Sequence, residues 1–387
     1  MNICYINPTN NIRRPVAELA EILAQEGHHI SIMYPVSRNC PTENWVANQV
    51  VWNGSIKSIP IPSWYFAPLR YSFPNIMALW KATRKAFREN DKIHIWEYYY
   101  PLSVVSLLYA WLRRKERQTI LTTDGFVGYS YQPRKPWWLV PAFKLYTQLV
   151  AHFLFKIPKT ITTYGQAMIP FAWRAGVPMK KLRIIPTGIH LERFQHVGRK
   201  KVQQLRAEFE IRKEKIILFV GMLTERKGVD KVIKISQQLL REEFNIKTLI
   251  VGDAHGRNTF KKMVKPQFRD RIIFTGGRKD IPELMHIADV LLLPSEGEGL
   301  PGVVMEAMAS GLPVVATSEG CISELVEAGK DGFLVKINDI RGYVSGVKKI
   351  LTNEELAKNL SERGKEKIRR FAWPAVNRKY ISLYVKK

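Results

Sequence analysis

Cysteine is scarce in this 387-residue chain: Cys4, Cys40 and Cys321 stand far apart, with no paired spacing and no His cluster beside them. That excludes a disulfide framework or a cysteine-ligated zinc site, and fits a reducing compartment. Acids are also few, 34 Asp/Glu against 60 Lys/Arg for a formal net charge of +26. A polyanion or an anionic membrane surface is the natural partner of such a chain. No basic tail holds the excess, since residues 1–190 carry 23 Lys/Arg and 9 Asp/Glu while the remainder carries 37 and 25. An uninterrupted apolar run is missing too. The longest, WWLVPAFKLYTQLVAHFLFKI, is broken by Lys144, Gln148, His152 and Lys156, each four residues after the last. On a helix that spacing draws one polar stripe beside a broad apolar surface, which argues against spanning a bilayer and for a core or interfacial helix. The start, MNICYINPTNN, has no basic region ahead of an apolar stretch, so no secretory signal and a cytoplasmic location are expected.

What is present is ample material for cores, 46% hydrophobic and 11% aromatic, in a chain longer than one core supports. NICYI reads as a strand, and PVAELAEILAQEGHHISIMYPV as an amphipathic helix, a stop at Gly27 and a second strand. KIHIWE and TILTTD continue as strands with the helix PLSVVSLLYAWLRRK between them. The second half alternates likewise through EKIILFVG, IKTLIVGD, RIIFTGG, DVLLLPS and PVVAT. Alternation of this kind predicts α/β architecture, two doubly wound parallel sheets facing across a cleft, with ligands at the C-terminal ends of the strands. The stretch RIIPTGIHLERFQ, without helical period, places the boundary near 190. The expected domains are 1–190, 191–370, and a terminal helix 371–387 crossing back onto the first.

The stretch SEGEGLPGVVMEAMASGLPVV places Glu298 and Glu306 eight positions apart. Pro301 suits the first helical position and Gly311 the stop, so Glu298 lies on the loop before a helix and Glu306 in its second turn. Gly299 and the N–H groups of Gly302 and Val303 form a positive helix end that favours a phosphate. Acids on both sides suit a ligand with hydroxyls flanking its phosphates, as a nucleotide sugar has. Taken alone, SEGEG reads equally well as a solvated acidic turn. Arg226 and Lys227, on the loop GMLTERKG, are cations placed to neutralise a departing diphosphate, or ordinary loop cations of a basic protein.

Residues 180–340 resemble the group 1 (family 4) retaining glycosyltransferases of the GT-B fold. IIPTGIHLERF, FVGMLTERKGVDKVI, LIVGD, IIFTGG, IADVLLLPSEGEGLPGVVMEAMASGLPVVAT and GCISELV occur in order, and Glu298 to Glu306 matches the E-x7-E signature. The resemblance implies that Arg226 and Lys227 hold the diphosphate and that Glu306 binds the ribose. It also implies that Glu298, with Gly299, Leu300, Pro301, Gly302 and Val303, contacts the transferred sugar, and that Gly221 and Arg278 belong to the donor site. Retention without a metal or other cofactor is implied as well, and no D-x-D triplet is present.

The first half departs from the pattern. The loop NPTNNIRRP replaces the family's Gly-Gly turn, making Arg13 and Arg14 candidates for an acidic acceptor or simply exposed cations. Asp124, in TTDGFVGYS, stands where the family often has a His, and reads as a residue facing sugar or acceptor or as an Asp-Gly turn. Pro301 stands where the family has a Gly, His190 ends the linker Thr187-Gly188-Ile189-His190 in place of its Asp, and Cys321 replaces a Gly. Trp64, Tyr65, Phe66, Trp137 and Trp138 occur near Lys81, Arg84, Lys85 and Arg88, Arg113, Arg114, Lys115 and Arg117, and Arg134 and Lys135. Aromatics beside cations suggest a peripheral membrane contact and a lipid-linked or anionic glycan acceptor. A nucleic-acid partner is not expected, because no helix-turn-helix, RRM or zinc-finger spacing occurs; a polyanion-binding protein and a sugar-nucleotide epimerase are the other readings.

Overall fold

The computed structural model describes residues 1–37, 56–66, 71–130, 139–253 and 257–385. Cys40, Arg134, Lys135, Trp137 and Trp138 lie outside the described residues. The chain divides into two compact units, Met1–Gly188 with Trp373–Lys387, and Ile189–Ala372.

The first unit is built on β1 (Asn2–Ile6), β2 (His29–Val36), β3 (Ile56–Phe66), β4 (Tyr71–Pro74), β5 (Lys92–Trp96), β6 (Thr119–Thr122), β7 (Thr160–Thr163) and β8 (Leu182–Ile184). They form one sheet in the order β4-β3-β2-β1-β5-β6-β7-β8, parallel throughout except for the β3/β4 pair. Strands such as β1, apolar at every position from Ile3 to Ile6 and wholly buried, are what a sheet covered on both faces requires. The helix Arg14–Gln25 turns Val16, Leu19, Ala20 and Leu23 onto that sheet, an i, i+3, i+4, i+7 face. The same core takes in Trp373, Val376, Tyr380 and Tyr384 from the last helix, Trp373–Val385. Polar contacts fix its register: Trp373 Nε1 donates to Glu18 at 2.8 Å, Asn377 Nδ2 to Glu26 at 2.7 Å, and Tyr384 Oη lies 2.7 Å from Nδ1 of buried His94. Burial holds His94 neutral, its pKa well below the ordinary value.

The second unit has β9 (Lys215–Val220), β10 (Ile246–Val251), β11 (Ile272–Gly276), β12 (Val290–Leu293), β13 (Val314–Thr317) and β14 (Phe333–Val335). All are parallel, in the order β11-β10-β9-β12-β13-β14. The helix Val229–Arg241 buries Val232, Ile233, Ile235 and Leu239 completely, each such side chain stabilising by about 1.5–3 kcal/mol relative to exposure.

In both units the strand order reverses beside the first strand, between β1 and β5 and between β9 and β12. Open α/β sheets bind ligands outside the carboxyl ends of the strands at such a point.

The long apolar stretch is not a core helix. It runs as α-helix over Leu139–Tyr146, a π-helical turn over Thr147–Ala151, and α-helix over His152–Leu154. Thr147, Ala151 and Leu154 face inward, whereas Leu145 and Leu149 are 57% and 68% exposed. Among the described residues no helix is long and apolar enough to cross a membrane.

Candidate functional site

In the second unit the loop after β9 runs from Gly221 to Gly228 and the loop after β12 from Pro294 to Pro301, so both leave the sheet at its switch point. Glycines allow the chain to close on the second loop from two sides, Gly228 from the first loop and Gly320 from the loop after β13. A Cβ on Gly228 (φ +76°) would lie 2.1 Å from the Pro294 carbonyl oxygen, and one on Gly320 (φ +65°) 2.1 Å from that of Glu298. Lys227 reaches across, its Nζ 2.7 and 3.0 Å from the two carboxylate oxygens of Glu298. Glu298 is only 7% exposed, and Arg226 Nη1 stands 3.8 Å from it. Arg226 also donates to the carbonyls of Glu296 and Gly297, at 3.1 and 3.4 Å, while Glu296 pairs with Lys231 at 3.1 Å. The acid-rich loop is therefore held from below by three cations rather than solvated. Glu319 lies beside it, its pKa raised by partial burial and then by the charge of Glu296.

The helix is Gly302–Ser310, with Pro301 as its N-cap rather than its first residue. A proline ring fixes φ but leaves ψ extended here, at 115°, and the cap is the last position that tolerates that. Val304 and Met305 donate to the Pro301 carbonyl, so the N–H groups of Gly302 and Val303 precede the first intrahelical bond. Gly302, Val303 and Glu306 are all half-buried, on the one helix face that remains open. Glu298, Gly299, Leu300, Pro301, Gly302, Val303 and Glu306 thus lie on one loop and the start of its helix, and Arg226 and Lys227 contact that loop from the neighbouring one, which begins at Gly221. Arg278 is not brought to these loops. It follows β11, separated from β9 by β10, and its guanidinium is forked onto Glu208 and Asp280, with Nη1 at 2.6 Å and Nη2 at 2.7 Å respectively.

The first unit holds a second cluster that the sequence reading caught only in part. Arg13, just before the first helix, pairs with both Glu97 and Asp124, which follow β5 and β6. The loop that carries Arg13 is braced by Asn7, whose Oδ1 accepts the Arg13 N–H at 3.1 Å and whose Nδ2 donates to the carbonyls of Thr9 and Asn11. Arg14 pairs with Glu18 at 3.0 Å. Both arginines expected to meet an acidic acceptor are therefore engaged with carboxylates of their own chain.

Glu97 carries no signal in the sequence, because a lone acid at a strand end belongs to no motif. In the fold it is wholly buried and sits at φ +58°, a left-handed conformation that costs a non-glycine residue about 1–2 kcal/mol. Thr123 Oγ1 lies 2.7 Å from its Oε2, and the Asp124 N–H donates to its Oε1 at 3.4 Å. Burial, then the charge of Asp124, pushes its pKa up to about 8. Asp124 itself is more than a third exposed. Among the described residues no group of acids, histidines or cysteines is arranged to hold a metal ion.

Similarity to known proteins agrees with this geometry. The family described as Glycosyl transferases group 1 matches residues 201–367, and Glycosyltransferase Family 4 matches residues 13–193. The N-acetyl-alpha-D-glucosaminyl L-malate synthase of Bacillus anthracis is 32% identical over 172 residues, 44% of this chain and 45% of that protein. The UDP-Gal:alpha-D-GlcNAc-diphosphoundecaprenol alpha-1,3-galactosyltransferase of Escherichia coli is 27% identical over 195 residues, 49% of this chain and 50% of that protein. The chain spans about half the length of these curated relatives. Across its whole length it superposes on a crystal structure of Anabaena HepE in complex with UDP and glucose, with a TM-score of 0.79, 18% identity and 99% of each chain covered. Two Rossmann-like α/β units, each with a parallel sheet reversing beside its first strand, make the fold GT-B. With matches over nearly all of both units, the chain belongs to the group 1 glycosyltransferases.

Proposed function

We propose that this protein transfers a hexose from a UDP- or GDP-sugar, with retention of configuration and without a metal, to a membrane-associated acceptor such as a lipid-linked glycan, a glycolipid or a cell-surface polysaccharide precursor. The observation that carries the reading is the Lys227–Glu298 pair beside an open helix N-terminus at a sheet's switch point. The diphosphate is bound by Arg226, Lys227 and the N–H groups of Gly302 and Val303, so the charge that builds on the leaving group meets fixed positive charge. Glu306 accepts hydrogen bonds from the ribose and Glu298 from hydroxyls of the sugar. In this reading the leaving phosphate stays on the face that the acceptor attacks and takes the acceptor's proton, which accounts for retention. The UDP and glucose of the Anabaena structure and the sugar-nucleotide donor in the name of the Escherichia coli enzyme support the donor class.

Membrane contact draws on the surface of the first unit. The helices Ile76–Glu89 and Pro101–Leu112 and the helical stretch beginning at Leu139 expose Met77, Trp80, Trp111, Leu145, Leu149 and Phe153. Ring contacts tie these helices together, Trp80 to Tyr109 at 5.1 Å and Trp111 to Phe153 at 5.2 Å. Between residues 76 and 191, the stretch that holds these helices, there are 18 Lys/Arg and five acids. An apolar face within so basic a segment suits the headgroup region of an anionic bilayer, where a lipid-linked acceptor resides.

Thermal shift with UDP, GDP and their hexose derivatives tests the donor. A nucleotide at 100 times its Kd raises stability by about 2.7 kcal/mol, and NMR of the product gives its anomeric configuration. Absence of any shift and any turnover across UDP-glucose, UDP-galactose, UDP-N-acetylglucosamine and GDP-mannose sinks the proposal.

A further inference from the structure

We infer that Glu97 is the positioning residue of a hydroxyl-binding site on the first unit: it anchors Arg13, and Arg13 aims Asp124 at a carbohydrate hydroxyl. The inference rests on the transferase reading for the identity of the ligand, and on geometry of its own for the site. Three adjacent strands, β1, β5 and β6, each contribute one member just past their C-terminal ends, at the switch point where a doubly wound sheet offers a crevice.

The three members differ in access. Glu97 is closed off from solvent, Arg13 is a quarter exposed and Asp124 is the most open. A guanidinium held between two carboxyl groups is a poor anion receptor, because a phosphate must displace one of them. A carboxylate whose charge Arg13 already balances remains a strong acceptor for a neutral hydroxyl. The cluster therefore favours the uncharged saccharide part of an acceptor over its phosphates.

Glu97 is suited to the anchoring role in its proton-bearing form. Its Oε1 then accepts from Arg13 and from the Asp124 N–H, and its Oε2 stands 2.7 Å from Thr123 Oγ1, which donates to the ionised carboxyl but accepts from the protonated one when its own proton turns to the Gly125 carbonyl, 2.6 Å away. Every polar atom of the buried group is satisfied. The titratable groups facing it are Arg13, Asp124, Tyr98, Tyr99 and Tyr164, and burial holds the three tyrosines neutral with raised pKa values.

Glutamine reproduces those hydrogen bonds and alanine removes them, which gives the test. The full chain is assayed with the four nucleotide sugars, using N-acetylglucosaminyl-diphosphoundecaprenol and water as acceptors, while UDP affinity is followed by calorimetry. Asp124→Asn is expected to lower kcat about 100-fold, and Glu97→Ala to match it within threefold. The double variant should be no worse than either single one, and UDP affinity should hold within twofold throughout. Glu97→Gln should keep at least a third of the rate at pH 7. Multiplicative losses in the double variant, or a Glu97→Gln enzyme as slow as Glu97→Ala, overturn the inference. If Glu97→Ala does not fold, Arg13→Lys takes its place, since one ammonium cannot grip both acids, with the same non-additivity expected against Asp124→Asn. A readout without turnover separates this inference from the transferase reading: the Asp124 13Cγ resonance, assigned by its loss in Asp124→Asn, should coincide in wild type and Glu97→Gln at pH 7 and move in Glu97→Ala or Arg13→Lys. An unmoved resonance in the disruptive variant overturns the anchoring role even where no sugar is transferred.

Discussion

Replacing Lys227 by methionine separates what the lysine does for folding from what it does for turnover. Its ammonium bridges both oxygens of a carboxylate that is 7% exposed. Removing one partner of a buried pair costs about 3–5 kcal/mol, chiefly because the other charge is stranded. Arg226, at 3.8 Å and partly exposed, compensates in part, so the lower end, about 3 kcal/mol, is expected for Lys227→Met. For a unit the size of Ile189–Ala372, each kcal/mol lowers Tm by roughly 2–4 °C, a fall of roughly 6–12 °C. Adding Glu298→Gln removes the stranded charge and should bring Tm back to within about 3 °C of wild type. Turnover should not return, because the diphosphate still lacks its cation; a loss of about 100- to 1000-fold is expected in the single variant and at least as much in the double, where the sugar also loses the Glu298 carboxylate. Differential scanning calorimetry of ligand-free protein and initial rates at saturating nucleotide sugar read the two quantities. A double variant that recovers both, or a Lys227→Met protein with unchanged Tm, refutes the reasoning.

Glu97 makes stability depend on pH with a definite sign. Its pKa rises from the ordinary 4.5 to about 8 on folding, so the advantage of keeping the proton is complete below pH 4.5 and is lost as pH rises through 8, on the order of 5 kcal/mol in all. The Tm of Glu97→Gln relative to wild type should therefore climb between pH 5 and 8.5, and a constant difference contradicts the raised pKa. On the outer helices, Leu145→Asp with Leu149→Asp should cut sedimentation with phosphatidylglycerol vesicles at least tenfold while leaving UDP affinity unchanged; equal sedimentation removes that face from the membrane contact. Gly228→Ala places a Cβ 2.1 Å from the Pro294 carbonyl oxygen at φ +76°, so the two site loops must part. UDP affinity should drop at least tenfold, with the far-UV CD spectrum retained, and undiminished affinity argues against a shared site.

Much of the fold was legible because its strands are short, apolar and bounded by helices with a clear period. NICYI is a strand as read, a second strand follows the Gly27 stop, and KIHIWE is a strand up to Trp96, with Glu97 just beyond its end. β3 was not legible, for a reason visible in its sequence: Pro60 and Pro62 argue against a strand. They lie two residues apart and so turn their missing N–H groups to one edge, the edge that β4 reaches only from Ser63 onward. The acid-rich loop and Glu306 were legible from spacing, because a strand–loop–helix unit projects its loop into the crevice whatever surrounds it. Arg278 shows what such reading leaves open. A cation after a strand is equally free, in sequence, to meet a ligand or an acid, and its partners Glu208 and Asp280 come into view only once the chain has folded.

The two clusters share an arrangement that no motif expresses. In the first unit a cation after the first strand, Arg13, pairs with a buried acid after the strand on the far side of the reversal, Glu97. In the second, Lys227 after β9 pairs with Glu298 after β12. The common cause is geometric. At a switch point the two loops leave in opposite directions and expose strand ends between them, and a charge pair closes that gap without covering it. The pairs differ in what they leave open. Lys227 is shared between Glu298 and whatever enters beside the helix end, which suits an anion that arrives and departs; Arg13 is occupied on both sides, which suits a neutral group. If donor and acceptor are divided between the units on this basis, exchanging Lys227 for arginine should be tolerated for UDP affinity within about tenfold, since the positive charge is kept. Exchanging Arg13 for lysine should leave UDP affinity untouched and lower transfer alone.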